Sequence, residues 1–322
     1  MSRPLLLRTV LLLTLLLGAA LVRAAPPSIL QWPMELVVPG GTLHGSLMLP
    51  ETTQPAPVVL LIAGSGPTDR DGNNPTGGNN DSLRHLALGL AERGIASLRY
   101  DKRGVAASRA AAPHEEQLSV EAYVADAVAW GQLLKADPRF SQLILLGHSE
   151  GALIATLAAA DSGADALVSL AGIAHPLGAV LRGQLQGRLP PALAAETETI
   201  LRELERGRVV PQVSPKLRVL LRPSVQPYLI TLLRQRPAEA FARVPIPALI
   251  VQGTRDFQVD AQEALLLQQA KPEAQLLLVE GMNHVLRIVP ADAPPFASYN
   301  DPQLPLAGEL LDGLTRFILP AP

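Results

Sequence analysis

The chain has 322 residues, a length that suits two domains or one large α/β domain with an insertion. Apolar residues make up 48% and charged residues 17% of it, which excludes a disordered chain and a long charged helix. The formal net charge is −2 and no basic stripe is present, so we expect no nucleic-acid partner. Cysteine is absent, which excludes disulfides, thiolate metal sites and a cysteine nucleophile.

Residues 1–24 have the pattern of a secretory signal peptide. Arg3 and Arg8 precede an uncharged apolar run over 9–22, and a Val-Arg-Ala tripeptide ends the segment at Ala24. The apolar run has 14 residues, whereas a helix that crosses a bilayer needs about 20. We therefore expect cleavage after Ala24, no stable membrane span, and a periplasmic or secreted protein.

Eight apolar runs bounded by glycine or proline predict β-strands. The first two flank Pro39-Gly40-Gly41 and alternate apolar with polar residues, which predicts an antiparallel hairpin at one edge of a sheet. The later six are continuously apolar, which is typical of parallel strands buried on both faces. The eight runs are 34–38, 43–49, 58–63, 95–100, 143–146, 166–171, 248–251 and 276–279.

Helical patterns separate the later strands. They cover 82–93, 120–135, 151–160 and 261–269. Because alternating strands and helices predict a parallel sheet covered on both faces, the expected fold class is α/β, with a mostly parallel doubly wound sheet and an N-terminal antiparallel hairpin.

One long interval breaks this alternation. Residues 173–246 separate the sixth and seventh predicted strands by far more than a crossover needs. The interval contains helical stretches near 191–206 and 226–234, and its prolines divide it into pieces that we expect to be too short for a core of their own. The sequence therefore predicts an inserted helical cap, 173–246, within a core formed by 25–172 and 247–322.

The segment Gly-His-Ser-Glu-Gly at 147–151 follows the fifth predicted strand and precedes a helical pattern. This is the strand-turn-helix context of a nucleophile elbow. A serine at the tip of such a turn takes strained backbone angles, which require residues without side chains on both flanks. The helix N-terminus also favours developing negative charge. The pattern therefore predicts Ser149 as a nucleophile.

A serine hydroxyl needs a neighbouring base, and that base needs an orienting group. Asp256 follows the seventh predicted strand and His284 follows the eighth, so all three would lie at the carboxyl edge of a parallel sheet. Of the six histidines we favour His284 as the base, because His148 lies within the elbow and is expected to pack beside the site. We favour Asp256 over Asp260, which suits the N-cap of the following helix.

The loop 64–74, directly after the third predicted strand, is rich in glycine, so its backbone N–H groups can face a ligand. In a nucleophile elbow, one oxyanion donor is the N–H of the residue after the nucleophile, here Glu150. The second comes from this loop. We predict Ser65 for that role, with Gly66 as the alternative.

The same loop contains Asp-Arg-Asp-Gly-Asn at 69–73, which is similar to the start of an EF-hand calcium loop. The likeness ends there, because the sixth position is Asn74, the twelfth is Asn80, and a strand precedes the loop. We therefore expect no metal site.

With the elbow, the ordered serine, aspartate and histidine, and Tyr-Asp-Lys-Arg-Gly at 100–104, the chain resembles the α/β-hydrolase superfamily over nearly all its expected mature length. The loop 64–73 and the elbow together resemble bacterial carboxylesterase-like proteins, which are often grouped with serine aminopeptidases. The resemblance implies hydrolysis of small esters without a metal or organic cofactor. Ala63-Gly64 stands where many members have His-Gly, which weakens a substrate analogy to His-Gly lipases.

We therefore expect an exported carboxylesterase that cleaves small to medium acyl esters, with the inserted cap covering the site and setting substrate size. One alternative is a serine aminopeptidase, which needs an anionic pocket that Glu150 or Glu203 could supply. Another is a non-catalytic periplasmic binding protein on the same fold, which would usually have lost a triad member.

Overall fold

The computed structural model describes residues 29–319, so the predicted signal peptide lies outside the described residues. Eight strands form one sheet in the order β1-β2-β4-β3-β5-β6-β7-β8. The pairs β1/β2 and β2/β4 are antiparallel, and the other five pairs are parallel. The strands are β1 (Ile29–Val38), β2 (Gly41–Pro50), β3 (Ala56–Ile62), β4 (Ala96–Tyr100), β5 (Phe140–His148), β6 (Ala166–Leu170), β7 (Ala248–Gly253) and β8 (Gln275–Val279).

Helices connect the strands and cover the sheet, which confirms the predicted α/β class. Five of these helices lie between β6 and β7. In chain order the α-helices of the described residues are α1 (Ser82–Ala91), α2 (Val120–Lys135), α3 (Glu150–Ala158), α4 (Leu177–Leu185), α5 (Pro191–Glu205), α6 (Arg218–Leu221), α7 (Gln226–Leu233), α8 (Pro237–Ala242), α9 (Ala261–Ala270) and α10 (Gly308–Ile318).

The predicted N-terminal hairpin is confirmed, and it is longer than expected. β1 begins at Ile29 and continues through Pro33, paired along its whole length with β2. Proline lacks a ladder donor, but β1 is an edge strand with a partner on one side only, where proline is tolerated.

The core lies on both faces of the sheet because successive side chains of each strand point to opposite faces. Leu60 of β3 packs in the cluster formed with α2 and α3. Its neighbour Leu61 packs in the cluster formed with α1 and α10. Every residue of β3 is buried, as expected for a central parallel strand.

Helices α4 to α8 occupy the interval between β6 and β7. Helices α4 to α7 contribute to a hydrophobic cluster of their own, which includes Leu201, Leu204 and Leu221, whereas Phe241 of α8 packs in the sheet core. The expectation that proline prevents such a core was wrong. Pro191 and Pro237 lie in the first turn of their helices, where the missing N–H has no intrahelical acceptor to lose. The prolines therefore begin helices rather than breaking them.

The parallel strands bring their carboxyl ends to one edge of the sheet. The loops after β3, β5, β7 and β8, which carry the predicted site residues, all begin at this edge. Within residues 29–319, no helix has both the length and the apolar composition needed to cross a bilayer.

Candidate active site

Ser149 lies at the turn between β5 and α3. Its backbone has φ 56° and ψ −121°, a strained conformation that L residues seldom adopt. A Cβ built on Gly147 would lie 1.9 Å from the carbonyl oxygen of Gly151, and one built on Gly151 would lie 2.2 Å from that of Ile62. Both glycines are therefore required by the packing of the backbone, as expected for a nucleophile elbow.

The N-terminus of α3 begins immediately after Ser149. Glu150 is the first residue of this helix, so its backbone N–H has no intrahelical acceptor. The backbone N–H of Ser149 donates to the carbonyl oxygen of Leu170 at 2.9 Å, which holds the turn against the end of β6. The free N–H and the helix dipole both favour negative charge beside Ser149.

Asp256 and His284 meet at the same edge of the sheet, after β7 and β8. His284 Nδ1 lies 2.7 Å from Asp256 Oδ2, and the two side chains are 7% and 1% exposed. Because a carboxylate only accepts, Nδ1 carries the proton in this bond and Nε2 of the neutral ring is free to accept one. This is the tautomer that a general base requires.

Further donors hold the Asp256 carboxylate. Its Oδ1 accepts from the backbone N–H groups of Gln258 and Val259 at 2.8 and 2.9 Å. Burial acts to raise the pKa of Asp256, but the adjacent His284 and these two donors outweigh it and hold the pKa below its ordinary value. Asp256 is therefore a carboxylate at neutral pH.

The alternative acid, Asp260, has a different role. It is the N-cap residue of α9, and its Oδ1 accepts from the backbone N–H of Gln262 at 2.8 Å. The structure thus places Asp256, rather than Asp260, beside His284.

His148 supports His284 instead of competing with it. Its Nε2 donates to the backbone carbonyl oxygen of His284 at 2.9 Å, and the two ring centroids are 4.7 Å apart. Burial, followed by the proximity of His284, lowers the pKa of His148 to about 3. His148 is therefore neutral at physiological pH and packs beside the site, as the sequence analysis expected.

The peptide between Gly64 and Ser65 is held from below by Lys102, whose Nζ donates to the carbonyl oxygen of Gly64. The carbonyl and the N–H of a trans peptide point in opposite directions, so the N–H of Ser65 points away from Lys102. Within the described part of the chain, this N–H has no acceptor.

Gly66, the alternative donor, belongs to the next peptide. The carbonyl oxygen of that peptide, on Ser65, accepts from Thr68 Oγ1 at 2.7 Å, and Asn74 Nδ2 donates to the same hydroxyl at 2.9 Å. Ser65 lines the cavity that contains Ser149, and Gly66 is not among the described residues that line it. This geometry favours Ser65.

The carboxylates of Asp69 and Asp71 in the same loop accept hydrogen bonds from other groups of the protein. Asp69 Oδ1 accepts from the backbone N–H groups of Asp71 and Asn73, both at 2.9 Å, and Asp71 Oδ1 accepts from Arg99 Nε at 2.7 Å. Across residues 29–319, no three His, Cys, Asp or Glu side chains are grouped in a way that could hold a metal ion.

Ser149 and His284 line one cavity of about 100 Å³. No hydrogen bond joins Ser149 Oγ to His284 among the described residues, and such bonds are often long before substrate binds. None of the described residues of 173–246 is among the residues that line this cavity, but Gln184 of α4 donates to the carbonyl oxygen of Gln258, a lining residue, at 2.7 Å. The other lining residues are Gly64, Ser65, Thr68, Gly72, Asn74, Gly77, Asn80, Ser82, His148, Gln258, Val285 and Tyr299.

Three residues at the site have no assigned role in the sequence analysis. Gln252 Nε2 donates to Asp256 Oδ2 at 3.1 Å, and Tyr299 lines the cavity with its hydroxyl 2.9 Å from Gln258 Nε2. Lys102 holds the oxyanion loop. A sequence signal for Lys102 was available, since it is one of four lysines and lies two residues after the end of β4.

Comparisons with known sequences show the family to which the chain belongs. The family model described as serine aminopeptidase, S33, matches residues 77–288, about two thirds of the chain. The chain is also 32% identical over 248 residues to Esterase EstD of Thermotoga maritima. That match covers 76% of this chain and 58% of EstD, so the chain spans less than two thirds of that relative's length.

Two solved structures show the same fold. Est1E from Butyrivibrio proteoclasticus is 18% identical with a TM-score of 0.60, covering 89% of this chain and 97% of its own. Proline iminopeptidase from Mycobacterium smegmatis is 18% identical with a TM-score of 0.56, covering 88% and 97%. These likenesses confirm the resemblance in fold, and with the family match they show that this chain belongs to the serine aminopeptidase S33 family of α/β-hydrolase proteins.

Proposed function

We propose that the protein is a serine ester hydrolase. Ser149 attacks the substrate carbonyl, His284 accepts the serine proton and returns it to the leaving alcohol, and Asp256 orients the imidazole and stabilises its charged form. The backbone N–H groups of Ser65 and Glu150 bind the oxyanion. Water activated by His284 then hydrolyses the acyl-enzyme.

One observation carries this proposal: a strained elbow serine and a carboxylate-bound imidazole line the same cavity. Each feature alone has structural explanations. Together they supply a nucleophile, a base and an orienting group at one place, which is the requirement for acyl transfer.

The substrate class is inferred from the charges around the cavity. No Asp or Glu is among its described lining residues. Glu150 Oε1 lies 3.5 Å from Lys102 Nζ, and Glu203 accepts from Arg206 and Arg208, which follow α5 in the inserted segment. Neither carboxylate is placed to bind the ammonium group of an aminoacyl substrate. This favours esters over aminoacyl amides, and the small volume favours a small acyl group.

We also propose that the chain is exported with cleavage after Ala24. The support is the sequence pattern of residues 1–24, which lie outside the described residues. Protein isolated from its native host is then expected to begin at Ala25 or within two residues of it. Recovery of intact Met1 in a membrane fraction would contradict the cleaved signal peptide.

A fluorophosphonate probe tests the proposed chemistry. The probe is expected to phosphonylate Ser149 Oγ with loss of fluoride, which adds the phosphonyl group's mass to the peptide that contains Ser149, and to abolish hydrolysis of p-nitrophenyl acetate, with Ser149→Ala unlabelled. Labelling of another residue, or full activity after complete labelling of Ser149, would overturn the proposal. An unlabelled wild type would favour the binding-protein alternative.

A further inference from the structure

Lys102 lies directly beneath the proposed oxyanion hole. The registers of β3 with β4 and of β3 with β5, continued beyond the strand ends, place Gly64 level with Lys102 on one side and Ser149 on the other. The close fit agrees with this alignment, since a Cβ built on Gly64 would lie 3.3 Å from the Cβ of Ser149. The sheet itself therefore brings the three residues into one row.

The ammonium of Lys102 is buried and lies close to three groups of the protein. Its side chain is 1% exposed, its Nζ donates to the carbonyl oxygen of Gly64, and it lies 3.5 Å from Glu150 Oε1 and 5.1 Å from the Tyr123 ring centroid. Burial lowers the pKa of Lys102, and Glu150 opposes this shift. Burying such a charge is unfavourable unless partners compensate, so an apolar residue at this position would stabilise the fold more simply.

The contact with Gly64 acts on the neighbouring N–H. The carbonyl of Gly64 and the N–H of Ser65 belong to one planar peptide, so fixing the oxygen fixes the direction of the N–H. A cation on the carbonyl oxygen also polarises the peptide and makes its N–H a stronger donor. On the other side, Glu150 binds Lys102 through its carboxylate and offers its own backbone N–H to the same oxyanion.

We propose that Lys102 is a positioning residue of the oxyanion hole, which orients and polarises the Gly64–Ser65 peptide. Lys102 does not touch substrate; it acts through the N–H of Ser65. This inference rests on the proposed ester hydrolase function.

Lys102→Met tests the inference with two inhibitors. An aryl trifluoromethyl ketone reacts with the enzyme: the Ser149 oxygen adds to the ketone carbon, the serine proton passes to His284, and the carbonyl oxygen becomes the oxyanion. The corresponding trifluoromethyl alcohol fits the same cavity but has no carbonyl and forms no adduct. We expect the variant to lower kcat by about 10- to 100-fold with KM unchanged, since loss of a whole oxyanion donor costs about 10²- to 10³-fold.

The inhibition constants distinguish a loss of oxyanion binding from a general disruption of the cavity. The ketone is expected to bind Lys102→Met more weakly by the same factor as the loss in kcat, while affinity for the alcohol is unchanged. The matched control is Lys135→Met, since Lys135 is an exposed lysine paired with Asp165, and its activity is expected to equal that of the wild type.

A second variant allows for loss of folding. Lys102→Met strands the buried Glu150 carboxylate, which is destabilising, so Lys102→Met with Glu150→Gln removes both charges. The folded double variant is expected to show at least the single variant's loss of kcat and of ketone affinity. Wild-type kcat and ketone affinity in either folded variant, or equal weakening of both inhibitors, would overturn the role of Lys102. Failure of wild-type enzyme to hydrolyse esters through Ser149 would instead overturn the proposed function.

Discussion

Ser149 and His284 serve one proton-transfer step, so their contributions to catalysis should not add. Ser149→Ala and His284→Ala are each expected to lower kcat by several orders of magnitude, on the order of 10⁶, and the double variant should be little slower. Steady-state hydrolysis of p-nitrophenyl acetate measures all three. Losses that multiply in the double variant would show that His284 is not the base for Ser149.

Asp256 and Asp260 form a matched pair for testing which carboxylate orients His284. Asp256→Asn is expected to lower kcat about 10⁴-fold while the protein stays folded, because the amide no longer selects the required tautomer of His284. Asp260→Asn is expected to keep kcat and to change the free energy of unfolding by about 1 kcal/mol or less, since it caps α9. The reverse pattern of activity and stability would show that Asp260, and not Asp256, is the carboxylate that orients His284.

His148 makes folding stability depend on pH. Its pKa is about 3 in the folded protein and about 6.5 when unfolded, so between these values only the unfolded chain binds a proton. The free energy of unfolding should therefore fall by about 2 kcal/mol from this group between pH 7 and pH 5. Asp256, with its lowered pKa, titrates below this window.

Urea unfolding at pH 7 and pH 5 measures this contribution. His148→Asn cannot titrate, so its difference in stability between the two pH values is expected to be smaller than that of the wild type by that amount. An unchanged difference would show that His148 is protonated in the folded protein.

The residues whose part in the site was predictable share one local signal. Ser149, Asp256 and His284 each follow an apolar strand closely, and their order along the chain fits one edge of the sheet. Lys102 has the same local signal, but its role depends on β4 lying beside β3, which a local pattern does not specify. Tyr299 lines the cavity because the chain folds back and brings it beside Asn80, which is distant in sequence and donates to its carbonyl oxygen.

Among the elements, the loop 64–82 and the turn at Tyr299 supply most of the cavity lining, and the inserted helices reach it through Gln184, which donates to the carbonyl oxygen of the lining residue Gln258. Tyr299→Ala is therefore expected to raise kcat/KM for octanoate relative to acetate esters, because it removes a wall of the cavity. Tyr299→Phe keeps the ring and should keep the wild-type ratio. A parental chain-length profile in a folded Tyr299→Ala variant would contradict this role.

Leu201→Ala gives the matching test in the inserted helices. Leu201 is buried in their own hydrophobic cluster, so truncation is expected to cost about 2–5 kcal/mol of unfolding free energy. The chain-length profile of the folded variant should equal that of the wild type. A shifted profile would support the expectation that the inserted segment sets substrate size.

The strands and the main helices were predictable because apolar runs and helical periods are local features of the sequence. The course of the inserted helices was not, because distant contacts determine it. Arg222 and Ser224 of this segment both bind Glu115, and Val120 donates its N–H to Thr231. Sequence periodicity contains no information about such pairs.

For the whole molecule, the fold does not determine which bond is cleaved, since an esterase domain and a proline iminopeptidase both share it. The distinction depends on charge at the site. The absence of a carboxylate from the described cavity lining is the feature that separates an ester hydrolase from an enzyme that binds a substrate ammonium group.

The most direct test compares kcat/KM for methyl propionate and alanine methyl ester at pH 7. The two esters differ only by the amine, most of which is protonated at this pH. We predict a higher kcat/KM for methyl propionate, and loss of both activities in Ser149→Ala. Preference for the alanine ester would contradict the inference that the site binds no substrate ammonium group, and equal activity in Ser149→Ala would contradict the account of this protein as a serine ester hydrolase.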